Sequence, residues 1–356
     1  MPLVAHNDLP TFQRLKDSGE AVLSLDRATK QDIRELHIGV LNMLPDAALT
    51  ATEAQFIRFV GACNQIAQIY VYPFSILELN RSEKAEAHIA EHYFDFEDLK
   101  KTGLDALIIT GANVSNPSLD QEAFWNPLMN IVEWANDNVA SVLCSCLAPH
   151  AVVKYNHDID RTHMGRKKWG VYSHHITRPA HPLTRDINTR FDAPHSRYND
   201  VSREQLEAAG LKVLVESDDA GMHLAVSPDG FRMVYFQGHP EYDAVSLLKE
   251  YKREVMRFFS GERKDGPRFP ENYMSQQAEE IARAYFYSAE KAVAQGESPP
   301  PFPDANLEPL VDNTWGDTGK AIVNNWLGLV YGLTSVDRHA QFMPGVDPAN
   351  PLGLSK

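Results

Sequence analysis

What most constrains this chain is a repeated alternation of short apolar runs with longer stretches of helical spacing. Residues 36–42, Leu-His-Ile-Gly-Val-Leu-Asn, form an apolar run ending in a polar turn with Pro45, as a buried strand would. Across residues 52–63 apolar side chains recur at helical spacing, with Thr50 or Thr52 as N-cap and Glu53 in the first turn. Residues 65–73 are β-branched and aromatic (Ile66, Ile69, Tyr70, Val71, Tyr72) and read as a second strand. The unit then repeats: a strand over 104–110 stopped by Gly111, a helix over 124–136, a strand over 139–144 and a helix over 147–155. Strands that alternate with helices are joined by crossovers, so the pattern predicts an α/β fold whose mostly parallel central sheet is flanked by helices.

After Tyr155 the texture changes. Residues 161–168 are basic and contain Gly165, and residues 169–176 read as a strand. Segments 211–216, 222–227 and 231–236 read as antiparallel strands with a turn at Pro228-Asp229-Gly230. Helices are expected over 245–259 and 276–294, with a charged loop over 261–270 between them and an extended proline segment over 298–303 after them. No repeat or linker divides the chain. The expected organisation is an N-terminal extension over 1–35, one domain over 36–260, and a helical and irregular C-terminal extension over 261–356 packed on that domain.

A formal charge of −14 argues against nucleic-acid binding, which depends on neutralising phosphates. It leaves room for small anions held by a few local cations. No apolar run is long enough to span a bilayer, and no secretory signal is visible at the N-terminus, so neither a membrane nor export is expected. Three cysteines, Cys63, Cys144 and Cys146, are too few for a disulfide framework and fit a reducing cytoplasm.

Two constellations could carry chemistry. In Ser141-Val-Leu-Cys-Ser-Cys-Leu-Ala-Pro-His150, a cysteine falls where a parallel strand gives way to a helix, the sheet edge at which such folds place their sites. Cys146 lies just past the apolar run and is the better nucleophile, whereas Cys144 belongs to the strand. The helix N-terminus favours a thiolate, and the Leu147 amide can face a tetrahedral oxyanion. Against this stands the commoner fate of free cysteine, burial as a core thiol. A Cys-x-Cys metal site lacks a second Cys/His pair at zinc spacing. The second constellation is Phe236-Gln-Gly-His-Pro-Glu-Tyr-Asp243, where a strand delivers His239, Gly238 lets the backbone turn, and Glu241 is placed to hold the imidazole. Cysteine, histidine and acid together suit nucleophilic acyl transfer; a solvated turn is the bland alternative.

Joined, these signals resemble the class I glutamine amidotransferase-like (flavodoxin-like) group. Further segments are similar to the homoserine O-succinyltransferase family: Leu41-Asn-Met-Leu-Pro45, Thr52-Glu-Ala-Gln-Phe56, Phe94-Asp-Phe-Glu-Asp98, Leu107-Ile-Ile-Thr-Gly-Ala112, Gly170-Val-Tyr-Ser-His-His-Ile176, Ala193-Pro-His-Ser-Arg-Tyr198, Gly238-His-Pro-Glu-Tyr-Asp-Ala244 and Asn324-Asn-Trp-Leu327. The resemblance runs from residue 32 to residue 337.

It implies a methionine-biosynthesis enzyme, a cytoplasmic homodimer needing no cofactor beyond acyl-CoA as co-substrate. Cys146 would take succinyl from succinyl-CoA as a thioester and pass it to L-homoserine, with His239 as acid/base and Glu241 orienting it. Lys167 and Arg253 fall where the family binds the amino acid, although Arg166 and Lys168 flank Lys167 and compete for that place. Ser196 falls at a position linked to substrate choice. Ser115 falls where a glutamate accompanies acetyl donors and a small residue accompanies succinyl. The family carries two lysines after Pro45; here Asp46-Ala47 leaves a backbone N–H, that of Ala47, to join Leu147 in the oxyanion hole. Alternatives on the same scaffold are acetyl-CoA as donor, L-serine as acceptor (one methylene is worth only about 1–3 kcal/mol), a Cys-His-Glu hydrolase or amidotransferase, and a silent binding protein.

Overall fold

The structure, a computed structural model, describes residues 3–31, 33–63 and 67–354. In chain order, β1 (Leu3–Ala5), α1 (Pro10–Asp17), β2 (Val22–Ser24) and α2 (Leu25–Ala28) precede the first expected strand. Then come β3 (Glu35–Leu41), α3 (Asp46–Gly61), β4 (Gln68–Phe74), α4 (Glu83–His92), α5 (Phe96–Thr102), β5 (Ala106–Ile109), α6 (Trp125–Asn138), β6 (Ser141–Ser145) and α7 (Leu147–His157). A second stretch holds β7 (Thr162–Ile176), β8 (Arg190–Asp200), α8 (Arg203–Ala208), β9 (Lys212–Ser217), β10 (Gly221–Val226) and β11 (Met233–Phe236). Helices α9 (Ser246–Phe259), α10 (Gln276–Ala294), α11 (Asp304–Leu307) and α12 (Gly316–Leu333) follow.

Among the described residues the strands form one sheet in the order β2-β1-β4-β3-β5-β6-β11-β10-β9-β7-β8. From β2 to β11 every pairing is parallel; from β11 to β8 every pairing is antiparallel. This is the α/β architecture the alternation predicts, and the three segments expected to pair antiparallel, now β9, β10 and β11, do so. Residues 3–24 add β1 and β2 at the parallel edge.

Strand alternation distributes the core over two faces. In β5, Leu107 and Ile109 join Val142 and Cys144 of β6 beneath Leu128, Ile131 and Val132 of α6 and Ala151 and Val152 of α7. The intervening Ala106, Ile108 and Leu143 point the other way, to Phe56 and Phe59 of α3 and Ile322, Val323 and Trp326 of α12. A period of two along each strand is why parallel strands buried on both sides read as unbroken apolar runs. The C-terminal helices form a third cluster, in which Leu247, Leu248, Tyr251 and Val255 of α9 meet Ala278, Ala282, Tyr285 and Ala289 of α10, with Trp169 and Val171 of β7 beneath.

Three expectations shift. Helix α3 starts at Asp46, directly after Pro45, so Thr50 and Thr52 lie inside it. Ala47, Ala48 and Leu49 are strong helix formers that extend the helix back to the loop. The Asp46 carboxylate accepts the Ser82 amide at 2.7 Å, which ties that loop to the start of α4. The basic segment 161–168 is mostly strand, the outer part of β7, bulged between His163 and Lys168 where it pairs with β8. The second strand is Gln68–Phe74; Gln65 and Ile66, placed in it by sequence, lie outside the described residues, as does Asp32. Among the described residues no helix is long and apolar enough to cross a membrane.

Helix α12 is locked to the sheet by Trp326, fully buried, whose Nε1–H donates to Ser141 Oγ at 2.8 Å; Ser141 Oγ in turn donates to the Phe231 carbonyl at 2.6 Å. Trp326→Ala should cost about 3–5 kcal/mol through the cavity it leaves. Trp326→Phe, which mainly removes the hydrogen bond to Ser141, should cost about 1–2 kcal/mol. Equilibrium urea unfolding of the two variants measures both.

Candidate active site

Cys146 stands between β6 and α7, following a strand buried throughout and opening a helix. Its backbone takes φ 61° and ψ −100°, a region L-residues occupy at a cost of about 1–3 kcal/mol. Its amide donates to the Phe236 carbonyl at 2.9 Å, extending the β6–β11 ladder. Cys144 is fully buried, and burial pushes its thiol well above the ordinary range. Cys146 is partly exposed and lines a cavity of about 720 Å³. The position of the two thiols thus separates a core residue from a reachable one.

Gly111, just past β5, explains how a substrate could approach. A Cβ there would lie 3.3 Å from Cys146 Sγ and 3.5 Å from the Leu147 amide nitrogen. A side chain at this position would crowd the thiol and come into contact with the amide. Ala47 lines the same cavity from the first turn of α3. Helix first turns carry amides without intrahelical acceptors, so α3 and α7 each offer N–H donors here.

His239 comes from the turn after β11. Its amide donates to Pro194 O at 2.8 Å, and its Nδ1 lies 2.8 Å from Glu241 Oε1, both side chains being buried. A carboxylate accepts from Nδ1–H, which leaves Nε2 unclaimed by Glu241; it is buried without a hydrogen-bond partner among the described residues. Tyr242 stacks on the imidazole with ring centroids 4.2 Å apart. Burial alone would depress the imidazolium. The Cys146 thiolate and the Glu241 carboxylate outweigh it and hold the His239 pKa well above its usual value. Gly238, expected to permit a turn, is needed instead for close approach: a Cβ would lie 2.5 Å from His223 Nδ1 and 2.9 Å from Pro194 O.

The opposite wall centres on Glu250 of α9, which sequence reading missed. One of its oxygens accepts from Lys167 Nζ at 2.8 Å and Ser196 Oγ at 2.7 Å, the other from Tyr242 at 2.8 Å. Burial works against its charge, but Lys167 and these hydrogen bonds prevail and lower its pKa. Lys167 also lies 4.4 Å over the Trp169 ring. The choice among three adjacent basic residues is thereby resolved in space: Arg166 faces Glu271 at 3.9 Å, Lys168 donates to Asp219 O at 2.5 Å, and Lys167 lines the cavity. Arg253, one turn beyond Glu250, lines it too, half exposed, with Glu254 its nearest carboxylate at 3.8 Å. The helical i, i+3 spacing of Glu250 and Arg253 was the available signal for Glu250.

Ser115 is not brought to this cavity. The loop after Gly111 wraps around Glu122, whose carboxylate accepts the Ser115 and Asn116 amides at 2.7 and 2.6 Å and turns Ser115 outward, exposed; Val114 lines the cavity in its place. The remaining eight sequence-chosen residues, Cys146, His239, Glu241, Lys167, Ser196, Arg253, Leu147 and Ala47, all line it.

Three buried imidazoles behind the site, His174, His195 and His223, bring nitrogens within 4.8 Å of one another. Their hydrogen bonds do not suit a metal. Arg197 Nη1 donates to His195 Nδ1 at 2.5 Å, so His195 Nε2 carries its proton and donates to His174 Nε2 at 3.0 Å. His174 Nδ1–H goes to Tyr172 O at 2.8 Å. The lone pairs of His174 and His195 are thus engaged, and the Arg197 cation lies alongside.

A family model described as Homoserine O-succinyltransferase matches residues 2–336. Proteins named "Homoserine O-succinyltransferase" from Methylococcus capsulatus and Methylobacter tundripaludum are each 58% identical, over 355 residues (100% of both chains) and 354 residues (99% of this chain, 100% of the other). One from Thiobacillus denitrificans is 57% identical over 355 residues, 100% of both. With this identity end to end, the chain belongs to the homoserine O-succinyltransferase family.

Proposed function

We propose that the protein moves a succinyl group from succinyl-CoA to the side-chain hydroxyl of L-homoserine through a thioester on Cys146, a step of methionine biosynthesis. The observation that carries this reading is the strained Cys146 sharing one cavity with His239, whose far nitrogen is held by Glu241. The relatives' shared name supports succinyl as the acyl group and homoserine as the acceptor, and succinyl-CoA as donor follows the family resemblance. The chemistry asks for no group beyond acyl-CoA as co-substrate, in the reducing cytoplasm that three free thiols favour and, by the family resemblance, in a homodimer.

In the first half-reaction the Cys146 sulfur attacks the thioester carbonyl of the donor and its proton resides on His239. The oxyanion faces the Leu147 and Ala47 amides over Gly111. As the intermediate collapses, the CoA sulfur leaves with the proton from His239, and the succinyl group stays on Cys146. In the second half-reaction His239 Nε2 takes the proton of the homoserine hydroxyl, whose oxygen attacks the enzyme thioester. Cys146 leaves as thiolate, and O-succinylhomoserine departs. Arg253, loosely paired, is available for the homoserine carboxylate, and Lys167, Ser196 and Glu250 form a polar wall for the rest of the amino acid.

Purified protein mixed with succinyl-CoA should release CoA and gain a succinyl adduct on Cys146, seen by intact mass, that clears on adding homoserine. Clearance by serine instead would keep the mechanism and change the acceptor; clearance by water alone would make the protein a hydrolase; no adduct and no CoA release would overturn the reading. Cys146→Ser should form no thioester and lose about a thousandfold or more in kcat.

A pH profile tests the Glu241–His239 pair. Attack by homoserine needs neutral His239, so kcat rises as pH passes the His239 pKa of the acyl-enzyme, in which the thioester has removed the Cys146 charge and the Glu241 carboxylate is left to raise it against burial. Glu241→Gln lowers that pKa, so the acid limb should move to lower pH. The plateau should fall by about 10²–10⁴-fold as the tautomer is no longer fixed. An acid limb left in place would separate Glu241 from the titration of His239.

A further inference from the structure

The cations lining the cavity are not equivalent. Lys167 is neutralised by Glu250 at 2.8 Å, Arg197 by Asp200 at 3.0 Å, and Arg257 by Glu254 at 3.5 Å, with Arg253 3.8 Å from the same Glu254. Lys249 is exposed. Arg161 is the exception: partly buried, it has no carboxylate within 4.0 Å among the described residues, and Glu122, which acts on it from farther off, is already engaged by the Ser115 and Asn116 amides. Its Nη2 reaches Pro117 O at 3.4 Å, and its Nε is buried without a partner. A half-buried guanidinium whose Nε–H is sealed off unpaired bears a desolvation cost that an anion in the cavity would offset.

Its location says which anion. Arg161 lies between the end of α7 and β7, against the loop that follows Gly111. Arg161 therefore attends the nucleophile side of the cavity. The acceptor wall of Lys167, Ser196, Glu250 and Arg253 is built from β7, β8 and α9. An acyl chain held on Cys146 that ends in its own carboxylate supplies the missing partner in bidentate form.

We infer that Arg161 selects a dicarboxylic acyl donor by pairing its guanidinium with the distal carboxylate of the acyl group carried on Cys146. This rests on Cys146 carrying that group, as proposed above. It assigns the preference for a charged acyl tail to a residue the family resemblance did not mark, and it takes no recognition from the Ser115 side chain.

The test compares succinyl-CoA with butyryl-CoA, which has a four-carbon acyl chain and the same CoA but no distal carboxylate. In Arg161→Met, kcat/KM for acylation by succinyl-CoA should fall about ten- to a hundredfold, the worth of a charge-assisted hydrogen bond, while that for butyryl-CoA stays level or rises. Arg161→Lys, which keeps the charge but not the fork, should fall in between and guards against a folding defect in the methionine variant. Equal losses with both donors would overturn the inference, since they point to CoA phosphates or to structure; so would no loss with either. Failure of the wild-type protein to form any succinyl adduct would instead overturn the function proposed above, whatever the variants do.

Discussion

The site depends on one register. Strands β6 and β11 pair in parallel with Ser145 opposite Phe236, and the Cys146 amide donates to the Phe236 carbonyl. Cys146 is one residue beyond that rung and His239 three beyond it, so the pairing of two short strands brings a thiol and an imidazole from distant parts of the sequence to one cavity. The register is held by packing on both faces. Leu143 and Val234 enter one core, Val142, Cys144, Met233 and Tyr235 the other. A slip by one residue would exchange those sets and carry the thiol and the imidazole out of alignment.

Where the parallel strands supply the thiol and the imidazole, the antiparallel extension supplies the wall they face. Trp169 of β7 is paired with Ser196 of β8, and the bulge in β7 lies between His163 and Lys168. Lys167 and Ser196 thus reach the same oxygen of Glu250 from adjacent strands. Glu250 also accepts from Tyr242, which stacks on His239, so the wall and the His239 imidazole share one chain of contacts. Helix α9 can present Glu250 and Arg253 because its other face is held by α10 and by Trp169 and Val171.

How much of this was legible follows from the range of the signals. The parallel strands, the Cys146 elbow and the His239-x-Glu241 turn are written in contiguous residues, where an apolar run meets a glycine, a proline or a helix start. Glu250 was missed because its partners arrive from β7, β8 and the turn after β11, and its i, i+3 spacing to Arg253 does not by itself mark a buried carboxylate on a charged helix face. The start of α3 was misplaced because threonine capping preference competed with the helix propensity of Ala47 and Ala48, and the latter prevailed. Ser115 was placed by resemblance at the acyl pocket, but Glu122, seven residues on, gathers the loop amides and turns it outward. Arg161 was read only as the start of the basic segment 161–168, because what distinguishes it is the lack of a close carboxylate.

The backbone at Cys146 has an evolutionary consequence. A glycine would adopt φ 61° without the penalty a cysteine bears there, so replacing the proposed nucleophile by glycine should relax the elbow and yield a more stable, inert protein. Screens that reward thermal resistance or expression alone would therefore drift toward dead molecules at this position. Stability and turnover pull in opposite directions at this residue, and any effort to harden the fold must be selected on turnover as well as on melting.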